Sequence, residues 1–143
     1  MAKSFRLEFR ARLDNLAEIR DFVGVSALEL GLDEPAVEDI KVCVDEAATN
    51  IVKHGYGNQE GGLSVEVTRE AGEIVIKITD QAPPFDPESA PRPDLGLPLH
   101  DRAIGGMGVH LIRTLTDGLS HSSGLEGGNE MVLRKKVPGA EQS

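Results

Sequence analysis

Two side chains that offer oxygen atoms lie four positions apart in the segment 45–56, which reads DEAATNIVKHGY. They are Glu46 and Asn50, and Lys53 and His54 follow them. At about 100° per residue, a helix would place these four side chains within one sector of roughly 100°. The neighbouring apolar residues centre about 120° away from that sector. One face of the predicted helix would therefore pack, and the other would be free to bind.

A carboxylate and a carboxamide one helical turn apart are neighbours on a helix surface. Both offer oxygen to a hard cation such as Mg²⁺ or to a polarised hydroxyl group. The spacing of Glu46 and Asn50 is therefore compatible with a magnesium site. A solvated helix face carries the same pair without any function, so the pair by itself decides nothing.

Two further blocks have residue types that suit a nucleotide. Asp80 ends an alternating run of Ile74, Ile76 and Ile78, so an acidic side chain stands at the end of a predicted strand. The segment Gly105-Gly106-Met107-Gly108 opens a predicted helix. Glycine lets the backbone approach a ligand closely, and the first amides of a helix are unpaired donors that favour an anion. No lysine follows at the spacing of a P-loop, so the phosphate signal is weak when taken alone.

Two kinds of periodicity predict the elements that must position these blocks. Alternating residues predict strands at 5–11, 63–67, 74–78 and 131–137, the second and third forming a hairpin, and one more strand is predicted at 118–122. Helical spacing predicts one helix from about Leu16 to Leu30 and another from about Ala36 to His54. We expect Asp33 to cap this second helix, which would end at Gly55.

The segment 81–104 interrupts this pattern. It holds six of the eight prolines and has little periodicity. A loop of this length inside a compact domain is usually functional or disordered. We interpret its second part, Arg92 to Ile104, as a mobile lid, with a floppy insertion of no function as the alternative. Residues 138–143 are expected to form a frayed tail.

Composition limits the classes of protein. A chain of 143 residues can form one domain with an aliphatic core, and 1–143 is predicted to be that domain. A net charge of −9 argues against nucleic acid as a partner, because binding to a phosphate backbone depends on Lys and Arg. Cys43 is the only cysteine, and we expect it to be a small packing residue in a reducing compartment. No apolar run approaches the ~20 residues of a membrane span, so we expect a cytoplasmic protein without membrane association.

Taken together in this order, the three blocks resemble those of the GHKL ATPase superfamily of gyrase, histidine kinases and MutL. More narrowly, the chain is similar to the anti-sigma factor serine kinases of the RsbW and SpoIIAB type, over roughly residues 5 to 137. The resemblance implies an α+β fold of the Bergerat type. This is a two-layer α/β sandwich in which about three helices cover one face of a mixed, mainly antiparallel sheet.

The resemblance also implies roles for individual residues. Glu46 and Asn50 match the pair in which the carboxylate is the general base and the asparagine coordinates Mg²⁺, while His54 and Gly55 would lie near the phosphates of ATP. Asp80 matches the aspartate that accepts a hydrogen bond from the adenine amino group. The remaining residues that match the nucleotide-binding motifs are Ala82, Phe85, Gly105, Gly106, Met107, Gly108 and Val109. Ala82 stands where the family commonly has glycine, and the sequence leaves open whether Lys53, Arg92 or Arg102 reaches the phosphates.

The function that this resemblance implies is a protein serine kinase that uses Mg²⁺ and ATP. It would phosphorylate a STAS-type anti-sigma factor antagonist, sequester a sigma factor when free of that antagonist, and form a homodimer. The alternative is an ATP- or ADP-binding switch module that captures a partner without transferring phosphate. A catalytic piece of a histidine-kinase system is a third interpretation, although 143 residues leave no room for a phosphoacceptor-helix domain.

Overall fold

The computed structural model describes residues 3–57, 60–82, 104–123 and 128–138, with side chains for all of these except 104–109 and 123. Five strands and three α-helices make up this part of the chain, together with a 3₁₀ turn at Leu13–Asn15 and a π-helical turn at Ile51–Gly55. The strands are β1 (Ser4–Arg10), β2 (Gly62–Glu70), β3 (Glu73–Asp80), β4 (Gly118–Ser123) and β5 (Asn129–Lys136). The helices are α1 (Leu16–Glu29), α2 (Glu34–Asn50) and α3 (Ile104–Leu115).

The five strands form one sheet in the order β1-β2-β3-β5-β4. Every pair among these strands is antiparallel, so the mixed character allowed by the prediction is absent from the described sheet. The α+β class, the mainly antiparallel sheet and the three helices are confirmed. In the middle of the sheet, Ile78 of β3 pairs with Val65 of β2 and Met131 of β5.

The core lies between this sheet and the helices, as the alternating pattern requires. Leu63, Val65 and Val67 of β2 and Ile74, Ile76 and Ile78 of β3 are all buried on the same side. Burial of each such side chain contributes about 1.5–3 kcal/mol. The rigid, apolar strand β3 therefore holds its last residue, Asp80, in a fixed position.

The helix α2 begins after Asp33, whose backbone is extended as an N-cap residue requires. Asp33 is the N-cap residue as predicted, and its backbone carbonyl accepts from the Val37 amide at 2.9 Å, although its side chain makes no capping hydrogen bond. The structure places Pro35 in the first turn of α2, where the amide that proline lacks has no partner in any helix. The fixed φ angle of proline favours the start of the helix at this point.

The end of this helix differs from a regular α-helix. The α-helical ladder ends at Asn50, and the chain continues as a π turn through Gly55. Here the Tyr56 amide donates to the Ile51 carbonyl at 2.8 Å, across five residues instead of four. Such π turns are rare and frequently lie at functional sites.

The predicted lid at 92–104 lies outside the described residues except for Ile104, and so does most of the predicted tail. None of the described helices is both long and apolar enough to cross a membrane.

Candidate functional site

Asn50 occupies the last α-helical position of α2, and its side chain is buried, with 2% of its surface exposed. Neither Oδ1 nor Nδ2 has a hydrogen-bond partner in the described structure. Buried polar groups in folded proteins nearly always have partners, and an unpaired one is destabilising by about 1–3 kcal/mol. An amide left in this state is therefore suited to a ligand that supplies the missing partners.

Glu46 lies one turn before Asn50 and is half-buried. Its pKa is raised above the ordinary value of 4.5, chiefly by desolvation and further by the negative charge of Asp45. The positive charge of Lys53 acts in the opposite direction. Because a carboxylate with a raised pKa holds a proton more tightly, Glu46 is a stronger base than an exposed glutamate.

The π turn changes which of the four side chains predicted to share one sector of the helix remain on the same regular helix. That sector assumes about 100° per residue, and this spacing ends at Asn50, since a π turn holds more residues than an α turn. Lys53 is half-buried and His54 is exposed. The structure therefore keeps Glu46 and Asn50 on one regular helix, while His54 and Gly55 belong to the wider turn that follows.

Asp80 ends β3 as predicted, and only 3% of its surface is exposed. Its Oδ1 accepts hydrogen bonds from the Ala82 amide at 2.9 Å and from Asn129 Nδ2 at 3.0 Å. Desolvation raises the pKa of Asp80, and these two hydrogen bonds, together with the charge of His121, offset part of that rise. Both donors meet the same oxygen, Oδ1.

Asn129 is a site residue that the sequence analysis missed. The cross-strand register sets it directly opposite Asp80, and the adjacent Gly128 has a φ of +87°. A Cβ atom on Gly128 would lie 2.4 Å from the Asp80 carbonyl oxygen, so only glycine fits there. The signal in the sequence is the Gly-Gly-Asn run at 127–129, which is typical of a turn and does not by itself indicate a contact with Asp80.

Tyr56 connects the end of the π turn with the end of β3. Its hydroxyl donates to the Gly62 carbonyl at 2.7 Å and accepts from the Gln81 amide at 2.8 Å. The tip of the predicted binding helix is thereby attached to the residue that follows Asp80. This contact brings together the two blocks that are 24 or more positions apart in the sequence.

The third block falls where the sequence predicts, because Gly105, Gly106 and Gly108 lie in the first turns of α3. The other end of this helix is anchored by Lys135, whose Nζ donates to the Leu115 carbonyl at 2.6 Å. The same ammonium group lies 3.5 Å from Asp39 Oδ2 of α2. The side chains of Met107 and Val109 are outside the described part of the structure, and so are Phe85, Arg92 and Arg102.

Ala82 is completely buried, and its amide is one of the two donors to Asp80. A methyl group is therefore accommodated at the position where the family commonly has glycine. A cavity of about 710 Å³ also opens beside Asp80, but it is lined by Arg10, Ser64 and Thr79 and lies across the sheet from α2. None of the α2 residues of the candidate site lines it.

The residues present fit Mg²⁺ through one feature, the unpartnered amide of Asn50. The described ranges contain no group of three or more His, Cys, Asp or Glu side chains that could hold a metal ion. An ion at Asn50 would therefore take its other ligands from water and from a bound nucleotide, as Mg²⁺ commonly does at phosphates.

Comparison with known proteins agrees with this arrangement. The family model of the histidine kinase-like ATPase domain matches residues 9–135, so the chain belongs to that family of ATPase domains. Within it, the chain is similar to the anti-sigma F factor of Clostridium botulinum (strain Eklund 17B), at 34% identity in an alignment of 138 positions that covers 91% of this chain and 92% of that protein. The anti-sigma F factor of Clostridium beijerinckii is 30% identical over 131 residues, with the same coverage of 91% and 92%.

A third relative bears a kinase name. The serine-protein kinase RsbW of Listeria monocytogenes (serovar 1/2a) is 34% identical in an alignment of 96 positions that covers 64% of this chain and 61% of that protein. The resemblance to anti-sigma factor serine kinases is thereby confirmed. Membership of an ATPase family also identifies ATP as the nucleotide.

Proposed function

We propose that residues 1–143 act as one protein serine kinase domain that uses Mg²⁺ and ATP. Its substrate would be a STAS-type anti-sigma factor antagonist, and its second partner a sigma factor that it sequesters when the antagonist is absent. The names of the relatives support the serine kinase activity and the sigma factor partner, and the STAS-type antagonist is our proposal for the substrate. We further propose that the protein works in the cytoplasm as a homodimer.

The observation that carries the proposal is the buried, unpartnered amide of Asn50. A domain that folded only for stability would gain by replacing this amide with an apolar group. In the proposed role, Oδ1 would hold Mg²⁺ against the phosphates, and the ion would supply neutralisation of phosphate charge. The bound ion would then provide the partner that the Asn50 side chain lacks in the described structure.

Glu46 is the proposed general base. Its raised pKa and its place one turn from Asn50 suit it to accept the proton of the acceptor serine. In this reaction the serine oxygen bonds to the γ-phosphorus, and the bond from that phosphorus to the β–γ bridging oxygen breaks. The proton passes to Glu46, and ADP leaves with the electron pair of the broken bond.

Asp80 is the proposed adenine-binding residue. Its Oδ1 is held by two donors, so the side chain cannot rotate freely. Oδ2 would accept a hydrogen bond from the adenine amino group. The glycine-bearing start of α3 would face the phosphates, because the first amides of a helix are free donors that favour an anion.

The proposal is tested by incubating the protein with γ-labelled ATP, Mg²⁺ and STAS-domain proteins. We expect transfer to serine that falls about 10²-fold or more in Glu46→Gln, with nucleotide affinity retained. Asn50→Ala should instead weaken binding of Mg²⁺ and ATP in calorimetry. Transfer that is indifferent to Glu46→Gln would refute the base assignment, and tight nucleotide binding without any transfer would favour the non-catalytic switch module.

A further inference from the structure

Tyr56 holds a position that none of the motifs assigns. It follows the π turn directly, and its own amide is bonded to the Ile51 carbonyl at 2.8 Å, so its backbone is fixed relative to the end of α2. Its hydroxyl reaches the Gly62 carbonyl and the Gln81 amide. Three separate segments of the chain therefore meet at one oxygen atom.

The direction of these two hydrogen bonds is determined by the groups themselves. A carbonyl oxygen can only accept and a backbone amide can only donate, so the hydroxyl must give its hydrogen to Gly62 and receive that of Gln81. A phenolic group fills both roles at once. Phenylalanine in the same place would keep the ring and lose both bonds.

The ring of Tyr56 also contacts the backbone. A Cβ atom built on Gly61 would lie 2.1 Å from Cε1 of the Tyr56 ring, so the ring lies directly against the Gly61 backbone. The Gly61 carbonyl in turn accepts from the Ala11 amide at 2.9 Å. Glycine at 61 is therefore required by the ring, and the hydroxyl has little freedom to leave its two partners.

The partner that matters for the site is the Gln81 amide. Gln81 lies between Asp80 and Ala82, and the Ala82 amide is one of the two donors that hold the Asp80 carboxylate. Displacement of Gln81 would move both the carboxylate and its donor. On the other side, the π turn connects Tyr56 to Asn50 through Ile51.

We infer that Tyr56 is a positioning residue that sets the distance between the Asn50 part of the nucleotide site and the Asp80 part. This inference rests on the proposed function, because it assumes that Asp80 binds adenine. Tyr56 acts through Gln81 and does not itself contact the nucleotide. Its loss should therefore weaken recognition of the base more than binding of the phosphates.

The test compares Tyr56→Phe with the unaltered protein in binding of ATP and of GTP, both with Mg²⁺. GTP carries a carbonyl group where ATP has the amino group, so an aspartate that binds adenine should discriminate against it. We expect Tyr56→Phe to raise the Kd for ATP about three- to tenfold and to leave the Kd for GTP within twofold. In the kinase assay, KM for ATP should rise by the same factor with kcat within twofold.

Arg69→Met is the matched control. Arg69 Nη1 donates to the Leu30 carbonyl at 2.9 Å, which is also a long-range bond from a side chain to the backbone, but at the other end of β2. This variant should lose stability without any change in the ATP-to-GTP ratio. The positioning inference is wrong if Tyr56→Phe also loses stability without a change in the ATP-to-GTP ratio of Kd values, or if it weakens the binding of ATP and of GTP by the same factor.

A second measurement needs no substitution. Amide hydrogen exchange at Gln81 should be slowed at least tenfold relative to an unstructured peptide, without nucleotide, if the bond to Tyr56 is maintained in solution. Unprotected exchange at Gln81 would overturn the inference even if Tyr56→Phe failed to fold. Failure of the unaltered protein to distinguish ATP from GTP would instead count against the proposed role of Asp80, which separates the two claims.

Discussion

Replacement of Asn50 by leucine should make the free protein more stable and abolish its response to nucleotide. Leucine keeps the branch at Cγ but has no polar atoms. The Asn50 side chain is buried, and both of its polar atoms lack partners in the described structure. An unsatisfied buried polar group is unfavourable by about 1–3 kcal/mol. We therefore expect Asn50→Leu to raise the free energy of unfolding by about 1–3 kcal/mol.

This change is large enough to measure. For a domain of this size, 1 kcal/mol corresponds to roughly 3–4 °C in Tm, so the midpoint should rise by about 3–12 °C. Circular dichroism is the suitable assay, because the chain has no tryptophan. With Mg²⁺ and ATP at about a hundred times Kd, the unaltered protein should gain a further 2.7 kcal/mol, roughly, and Asn50→Leu should gain almost nothing.

Asn15→Leu is the control for this experiment. The side-chain amide of Asn15 donates from Nδ2 to the Arg10 carbonyl at 3.0 Å, so the same substitution there removes a side chain that has a hydrogen-bond partner. It should lower stability and leave the nucleotide response intact. The reasoning is refuted if Asn50→Leu is less stable than the unaltered protein in the absence of nucleotide, or if it keeps the full stabilisation by Mg²⁺ and ATP.

Three other changes test separate features. Because burial raises the pKa of Asp80, the ionised carboxylate is unfavourable in the folded state, and Asp80→Asn should unfold at higher urea than the unaltered protein at pH 7. The difference in urea midpoint between Asp80→Asn and the unaltered protein should shrink as pH falls through the raised pKa towards 3.8. A difference that grows as pH falls would contradict the direction of the pKa shift. Burial raises the pKa of Cys43 to about 12. Thiol reagents at pH 8 should therefore modify Cys43 only as fast as the protein unfolds. Rapid labelling of the native protein would instead show an accessible thiolate. Lys135→Met should lower the free energy of unfolding in urea by about 1–3 kcal/mol, because the Leu115 carbonyl and the Asp39 carboxylate each lose the ammonium group as a partner. An unchanged midpoint would mean that Lys135 does not anchor α3.

Much of the fold could be predicted from the sequence because its elements are strongly periodic. The alternation at 63–67 and 74–78 could only bury one face, and both strands formed there. Asp33 is the N-cap residue of α2 as predicted, but the absence of a hydrogen bond from its side chain could not be read from the sequence, because it depends on the side-chain orientation in the folded chain. The order of the strands could not be predicted, since alternation does not determine which strand pairs with which.

The site was predictable to the extent that its residues lie on regular elements. Glu46 and Asn50 share a regular helix and Asp80 ends a strand, so the periodicity of the sequence predicted the elements on which these three residues lie. Asn129 and the hydroxyl contacts of Tyr56 depend on the pairing of β3 with β5 and on the π turn. Neither of these leaves a periodic signal in the sequence. The raised pKa of Glu46 likewise follows from burial, which only the folded chain defines.

The π turn at Ile51–Gly55 makes this part of the protein sensitive to chain length. Deletion of any one residue in it would let the regular helical ladder continue past Asn50. Every later residue of the turn would then rotate by about 100° and shift by about 1.5 Å along the axis. Asn50 would stay in place while the phenol ring turned away from β2 and β3. A single-codon deletion here should therefore do more harm than any one side-chain replacement in the same five positions.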